Sequence, residues 1–163
     1  MWKVSLPHPR PKTKSNNFRV GGKFSPHTDG RRLESLNEQS FTTLNIYLNA
    51  VPEEHYGTTR FLSSTQEILA KVQPTLGQGL LFRDDIWHDG EELLSGVKYL
   101  LRTDVMYVRE RDFDFEGLYG VLDEEGKGRK ALGIAERLED AGRGGEAVGW
   151  YKRAFGLWPA LEK

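Results

Sequence analysis

The sequence predicts a mainly β domain, an antiparallel β-sandwich or jelly roll, followed by a C-terminal α-helical hairpin. Three observations carry this. Between residues 18 and 108, Gly and Pro break the chain about every ten residues, and the intervening runs are rich in Val, Leu, Ile, Phe and Tyr, the texture of short strands and turns. Within that stretch, Phe41-Thr-Thr-Leu-Asn-Ile-Tyr-Leu-Asn49 alternates with the period of two that a strand imposes. After Gly126 the period becomes helical, with Ala131, Ile134, Ala135 and Leu138 spaced to share one face.

Taken in order, residues 1–17 carry three prolines, four Lys or Arg and no apolar run, so they read as an irregular lead-in that is neither signal peptide nor membrane span. The alternation at 41–49 sets Leu44, Ile46 and Leu48 on a face that seeks the core. Thr43, Asn45, Tyr47 and Asn49 form the other face, polar enough to line a site. Short strands are expected at 59–62, 79–83 and 97–108, and one or two helical turns at 64–71. The hairpin occupies 126–163, its second helix running from 146 to 157. Ala135, Gly142, Ala147, Tyr151, Ala154 and Pro159 fall where a tetratricopeptide repeat places its packing residues, so the tail resembles one such unit. A lone helix pair cannot bury its own apolar face. Trp150, Phe155 and Trp158 must therefore pack on the β domain, on a second chain or on a partner peptide.

With 163 residues, the chain suits one compact domain plus a short appendage. Lysine and arginine total 23 against 24 acidic residues, so no overall field draws the protein to nucleic acid or to anionic membrane. The absence of cysteine removes disulfides, thiolate metal sites and thiol nucleophiles, and favours cytosol or nucleus. Function must come from a site.

Of four histidines, two stand in telling contexts. In Phe24-Ser-Pro-His-Thr-Asp-Gly30, His27 and Asp29 are one residue apart, so at an extended strand end they project to the same side and can grip one ion. Two imidazoles and one carboxylate suit iron(II), binding one face of an octahedron and leaving three positions open. The third ligand must return from a distance, and Trp87-His88-Asp-Gly90 does so. Further on, Lys98, Leu100 and Arg102 share a strand face, so cations stand near the metal-bearing strand. The competing reading of His27 and Asp29 is a turn capped by the carboxylate, and of Lys98 and Arg102 a sheet-surface pair. His8 and His55 read as loop residues, Trp87 as packing, and Arg31-Arg32 and the run Arg109-Glu-Arg-Asp112 as solvated faces.

Five segments in order, Phe24-x-x-His27-x-Asp29-Gly30, Thr43-Leu-Asn-Ile-Tyr-Leu-Asn49, Gly57-Thr-Thr-Arg-Phe61, Pro74-x-x-Gly77-x-Gly-Leu-Leu-Phe82 and His88-x-Gly90 with Lys98-Tyr-x-Leu-Arg-x-Asp104, resemble the iron(II) and 2-oxoglutarate-dependent oxygenases of the prolyl 4-hydroxylase group. The likeness spans about residues 18–108 of a domain placed at 18–112. It implies a double-stranded β-helix core, iron bound by His27, Asp29 and His88, and 2-oxoglutarate held at its far carboxylate by Lys98 and Tyr47. Thr43 would line that wall. Arg102, about 13 Å along the strand from Lys98, ranks second because it is too far to share one oxygen with it. The implied reaction converts 2-oxoglutarate and O2 to succinate and carbon dioxide while hydroxylating a substrate C–H bond, with ascorbate as a further small molecule. A peptidyl proline is the first substrate expected.

The match departs from the family ahead of His27. Phe18-Arg-Val20 runs straight into Gly21-Gly-Lys-Phe24, without the usual tyrosine-bearing strand, which implies a domain shortened at its N-terminal side. Two rival readings follow. One is a non-catalytic relative that uses the helical tail to dock a protein partner. The other is a cupin-like enzyme using iron or manganese without 2-oxoglutarate. The loop at 31–39 is where substrate choice is expected.

Overall fold

A computed structural model describes residues 1–4 and 14–162 of the protein. Among the described residues ten strands precede three α-helices: β1 (Trp2–Val4), β2 (Lys14–Arg19), β3 (Phe24–His27), β4 (Leu33–Ser35), β5 (Glu38–Tyr47), β6 (Thr59–Leu62), β7 (Ile68–Val72), β8 (Gly79–Arg83), β9 (His88–Gly90), β10 (Val97–Arg109), α1 (Phe115–Tyr119), α2 (Glu124–Asp140) and α3 (Gly144–Leu157). Among the described residues no helix is long and apolar enough to cross a membrane.

The chain divides into two compact units, a β unit of residues Val4–Arg32 and Ser40–Tyr107 and a helical unit of Met1–Lys3, Leu33–Gln39 and Val108–Lys163. In the β unit, β2, β10, β5 and β8 form one antiparallel sheet and β3, β9, β6 and β7 the other. Register is set rung by rung, with Lys98 opposite Phe18, Thr43 opposite Phe82, and His27 opposite His88. The two sheets face each other as a jelly roll. Phe82 on one packs its ring 5.2 Å from Phe61 and 4.7 Å from His88 on the other.

The alternation of β5 is real, but the face expected to seek the core is only half-buried at Leu44 and Ile46, and the polar face is the more buried one. Thr43, Asn45 and Tyr47 point inward, at 1%, 4% and 0% exposure, while Leu48 is 48% exposed on the outer side and Leu81, cross-strand from Leu44, is 60% exposed. The physical reason is that the space between the sheets is itself a polar site, so the polar face is the buried one. Alternation separates two faces without saying which is inside.

Three other expectations change. Residues 1–17 are not simply irregular, since β1 and part of β2 lie there; His8 lies outside the described residues. The turns expected at 64–71 give way to β7, because the Ser63 hydroxyl accepts the Thr65 and Glu67 backbone N–H groups and so competes with a helical start. Arg31 and Arg109 are not merely solvated: Arg31 pairs with Asp84 at 3.0 Å over the Phe41 ring, and Arg109 lies 4.2 Å over Trp2.

In the helical unit, Asp123 caps α2 by accepting the Gly126 N–H, and Gly142, at φ 75°, makes the left-handed turn into α3. The core joins Leu33 and Phe115 to Ala131, Ile134, Leu138, Ala147 and Ala154, with Trp150 and Phe155 packed against it. Trp158 occupies the space above Gly128, where a Cβ would meet its own Cβ at 2.8 Å. The aromatic side chains that needed cover thus find it within their own unit, on β4, α1 and each other. The short helix α1, with Phe115 only 4% exposed, has no counterpart in the sequence reading.

Truncating Ile134 to Ala removes a side chain that is 2% exposed, and denaturant unfolding followed by helical circular dichroism should show a loss of about 2–5 kcal/mol. Val148→Ala, at 51% exposure, should stay within about 0.5 kcal/mol.

Candidate metal centre

The pairing of β3 with β9 puts His27 directly across from His88, with ring centroids 4.3 Å apart. Gly90, one rung along, is tightly constrained, since a Cβ there would approach that of Phe24 to 3.2 Å. Each imidazole is fixed by the backbone two residues before it: Nδ1 of His27 donates to the Ser25 carbonyl at 2.8 Å and Nδ1 of His88 to the Ile86 carbonyl at 3.0 Å. With the proton on Nδ1, both Nε2 lone pairs are free to bind a metal. Burial pushes the His88 pKa below its usual value, which keeps the ring neutral.

Asp29 follows β3 and closes the triangle. Its Oδ1 is 3.7 Å from His27 Nε2 and its Oδ2 is 3.8 Å from His88 Nε2. All three ligand atoms lie within 4.8 Å of one another. The carboxylate is itself held, by a 2.6 Å hydrogen bond from the Thr43 hydroxyl to Oδ2 and an ion pair with Arg102 Nη2 2.8 Å from Oδ1. Two imidazoles presenting Nε2 and one carboxylate on one face are a donor set that fits iron(II).

A cavity of about 540 Å³ runs from this triangle between the sheets and reaches Lys98. Lys98 is 4% exposed; its ammonium donates to the Gly57 carbonyl at 2.7 Å and sits 5.5 Å from the rings of Phe18 and Tyr47. Among the described residues no carboxylate touches it. Burial brings its pKa down to about 8, although Glu91 opposes this from a distance. A buried ammonium with one of three donors used is a ready partner for an anion.

Tyr47 and Thr43, expected at the co-substrate wall, do not themselves line the cavity; their hydroxyls bond Thr59 and Asp29, which do. The Tyr47 hydroxyl donates to Thr59 Oγ1 at 2.7 Å, and burial raises its pKa against the opposing effect of that bond. Thr59 lines the cavity in front of it. The sequence reading missed Thr59, whose signal was its place two residues after Gly57, and it assigned Thr43 to the wall rather than to Asp29. Gly57 has φ 75° and packs on Leu93, where a Cβ would meet Cδ1 at 2.9 Å; a side chain there would disturb the carbonyl that receives Lys98. Arg102 reaches Asp29 instead of Lys98's end of the cavity. Trp87 is 43% exposed and His55 is half-buried at the end of a short 3-10 turn; neither joins the site.

Comparison with protein-family models shows the family. The model of the 2OG-Fe(II) oxygenase superfamily matches residues 13–103, more than half of the chain, and the protein belongs to that superfamily. Similar solved structures include a prolyl 4-hydroxylase from Pseudomonas putida (18% identity, TM-score 0.45, covering 61% of this chain and 52% of that one). Another is a viral collagen prolyl hydroxylase from Paramecium bursaria Chlorella virus-1 in complex with 2OG (20% identity, TM-score 0.45, covering 61% and 62%). A third is a prolyl hydroxylase from Trichoplax adhaerens in complex with a peptide fragment of hypoxia inducible factor (17% identity, TM-score 0.47, covering 61% and 44%). The chain thus spans roughly half the length of these structures. No curated protein matches it.

Beside His88 on β9, Asp89 turns to the opposite face and is clasped by Arg60 through two bonds of 2.7 and 2.6 Å. This pair is structural. Arg60→Leu would leave a buried carboxylate alone and should cost about 3–5 kcal/mol in denaturant unfolding, whereas replacing both partners with apolar residues should recover most of the loss.

Proposed function

We propose that the protein is an iron(II)- and 2-oxoglutarate-dependent dioxygenase that hydroxylates a substrate C–H bond, with a peptidyl proline as the substrate class. The observation that carries this reading is the content of one cavity: an iron-type ligand triangle at one end and, at the other, a buried ammonium that no carboxylate among the described residues touches. A 2-oxo dicarboxylate needs both.

In this reading His27, Asp29 and His88 hold the metal, and Lys98 binds the far carboxylate of 2-oxoglutarate with the hydroxyl of Thr59, which Tyr47 orients from behind. Thr43 holds Asp29 in place. Iron, 2-oxoglutarate and O2 together supply the oxidant, with carbon dioxide and succinate as the fate of the co-substrate and ascorbate keeping the metal reduced. The side chains bind and orient. The Nδ1 bonds of His27 and His88 to backbone carbonyls fix which nitrogen faces the metal, burial favours the neutral form of His88, and β5 presents the Asn45 amide to the cavity. Peptide substrates, as in the Trichoplax complex, would enter at the open side of the cavity.

Protein loaded anaerobically with iron(II) and then given O2, ascorbate and 2-oxoglutarate should release succinate, and proline-rich peptides should raise the rate and gain one oxygen atom. No turnover together with no iron uptake would refute the reading. Lys98→Ala should raise the KM for 2-oxoglutarate by about 10-fold or more, since a charge-assisted bond contributes about 1.5–3 kcal/mol; unchanged activity would indicate a metal enzyme that does not use the dicarboxylate.

The pH dependence has a definite sign. Only the ammonium form of Lys98 binds a carboxylate, and its pKa is about 8 in the empty site. Apparent affinity for 2-oxoglutarate should therefore be level below that pH and fall above it, approaching about tenfold per unit. In Lys98→Arg, where the cation persists, the fall should vanish.

A further inference from the structure

Arg102 is a cation of the cavity that the reading above leaves without a task. It lies on the inner face of β10, four residues after Lys98, and its guanidinium pairs with Asp29 Oδ1 at 2.8 Å and with Asp104 Oδ1 at 3.5 Å, both through Nη2. A guanidinium carries five N–H donors in a fixed fork. Here the buried Nε is without a partner, and among the described residues Nη1 has none either. The side chain also lines the cavity, as does Asn45 on the neighbouring strand β5. Unmet polar atoms of this kind are rare inside proteins and mark places completed by something else.

Position decides what that something is. Because Nη2 touches a carboxylate oxygen that would stand beside the metal, the guanidinium belongs to the metal end of the cavity, while Lys98 serves the other. The ligand of a guanidinium fork is a carboxylate. We propose that Arg102 binds the 1-carboxylate of 2-oxoglutarate, the one adjacent to the keto group, so that the two cations of β10 clamp opposite ends of one co-substrate. The assignment rests on the oxygenase reading and adds to it a second anion subsite. It also gives the charges a purpose: Asp29 offsets Arg102 in the empty protein, and the incoming carboxylate takes up the donors that Asp29 does not use.

The test titrates 2-oxoglutarate, and separately 2-oxopentanoate, into full-length protein saturated with Mn(II), a redox-stable stand-in for iron, with heat of binding as the readout. 2-Oxopentanoate keeps the keto acid and replaces the far carboxylate with a methyl group. Arg102→Met should weaken both ligands by about 10-fold or more, with Arg102→Lys recovering part of the loss, while Lys98→Ala should weaken 2-oxoglutarate and leave 2-oxopentanoate unchanged. Mn(II) affinity without oxo acid should differ little between wild type and Arg102→Lys. Loss confined to 2-oxoglutarate would put Arg102 at the far carboxylate and overturn the assignment. So would unchanged binding of both ligands, or a loss of Mn(II) binding in Arg102→Lys that accounts for the whole effect. Circular dichroism and the Arg102→Lys variant separate these outcomes from misfolding. Wild-type protein that binds neither Mn(II) nor 2-oxoglutarate would refute the oxygenase reading itself, a result distinct from any failure confined to Arg102.

Discussion

The rung at which β3 and β9 pair is the constraint on which the site depends. It sets His27 opposite His88, and because strand side chains alternate, both imidazoles enter the space between the sheets together. A slip of one residue on either strand would send one ring to the outer face, where Asp89 now meets Arg60. The backbone reinforces the choice. Carbonyls of Ser25 and Ile86 take the Nδ1 protons, so the same pleat that aligns the rings also fixes which nitrogen is free. Asp29 then needs only to leave β3 in the right direction, and Thr43 and Arg102 receive its two oxygens from the opposite sheet.

The same sandwich explains why the protein is polar where a small β domain would ordinarily be apolar. Its interior holds Thr43, Asn45, Thr59, Asp29 and Lys98, all nearly inaccessible, while leucines of β5 and β8 lie partly exposed outside. Buried polar groups are tolerated where each finds a partner, and most here do. Some exceptions gather along the wall of the cavity: the ammonium of Lys98 uses one donor, and Arg102 Nε and Asn45 Oδ1 are without partners among the described residues. Burying an unpaired charge destabilises the empty protein, and binding an anion relieves it.

Much of this was legible in the sequence. The shared side of His27 and Asp29 and the face shared by Lys98 and Arg102 follow from strand period, the helical hairpin from its own period, and the choice of His88 from the resemblance to the oxygenase family. What escaped depended on how one sheet lies over the other. The reach from Arg102 to Asp29, and the Tyr47–Thr59 pair, join strands far apart in sequence, and distance along a single strand carries no information about them. The deeper burial of the polar face of β5 escaped for a related reason, since alternation marks two sides and only the contents of the interior decide which is buried. The turn at Ser63 was a contest between side-chain and backbone hydrogen bonding, which composition describes poorly.

The claim at the centre of this account is that the three side chains on β3, its exit and β9 form one metal site next to a dicarboxylate subsite. Anaerobic titration with iron(II), read by metal analysis and by visible absorption as 2-oxoglutarate is added, addresses it most directly. The account predicts one iron per chain and a new absorption band only when both are present, with neither in His88→Ala. Iron uptake by His88→Ala equal to that of the wild type, or no band from wild-type protein with both bound, would contradict it.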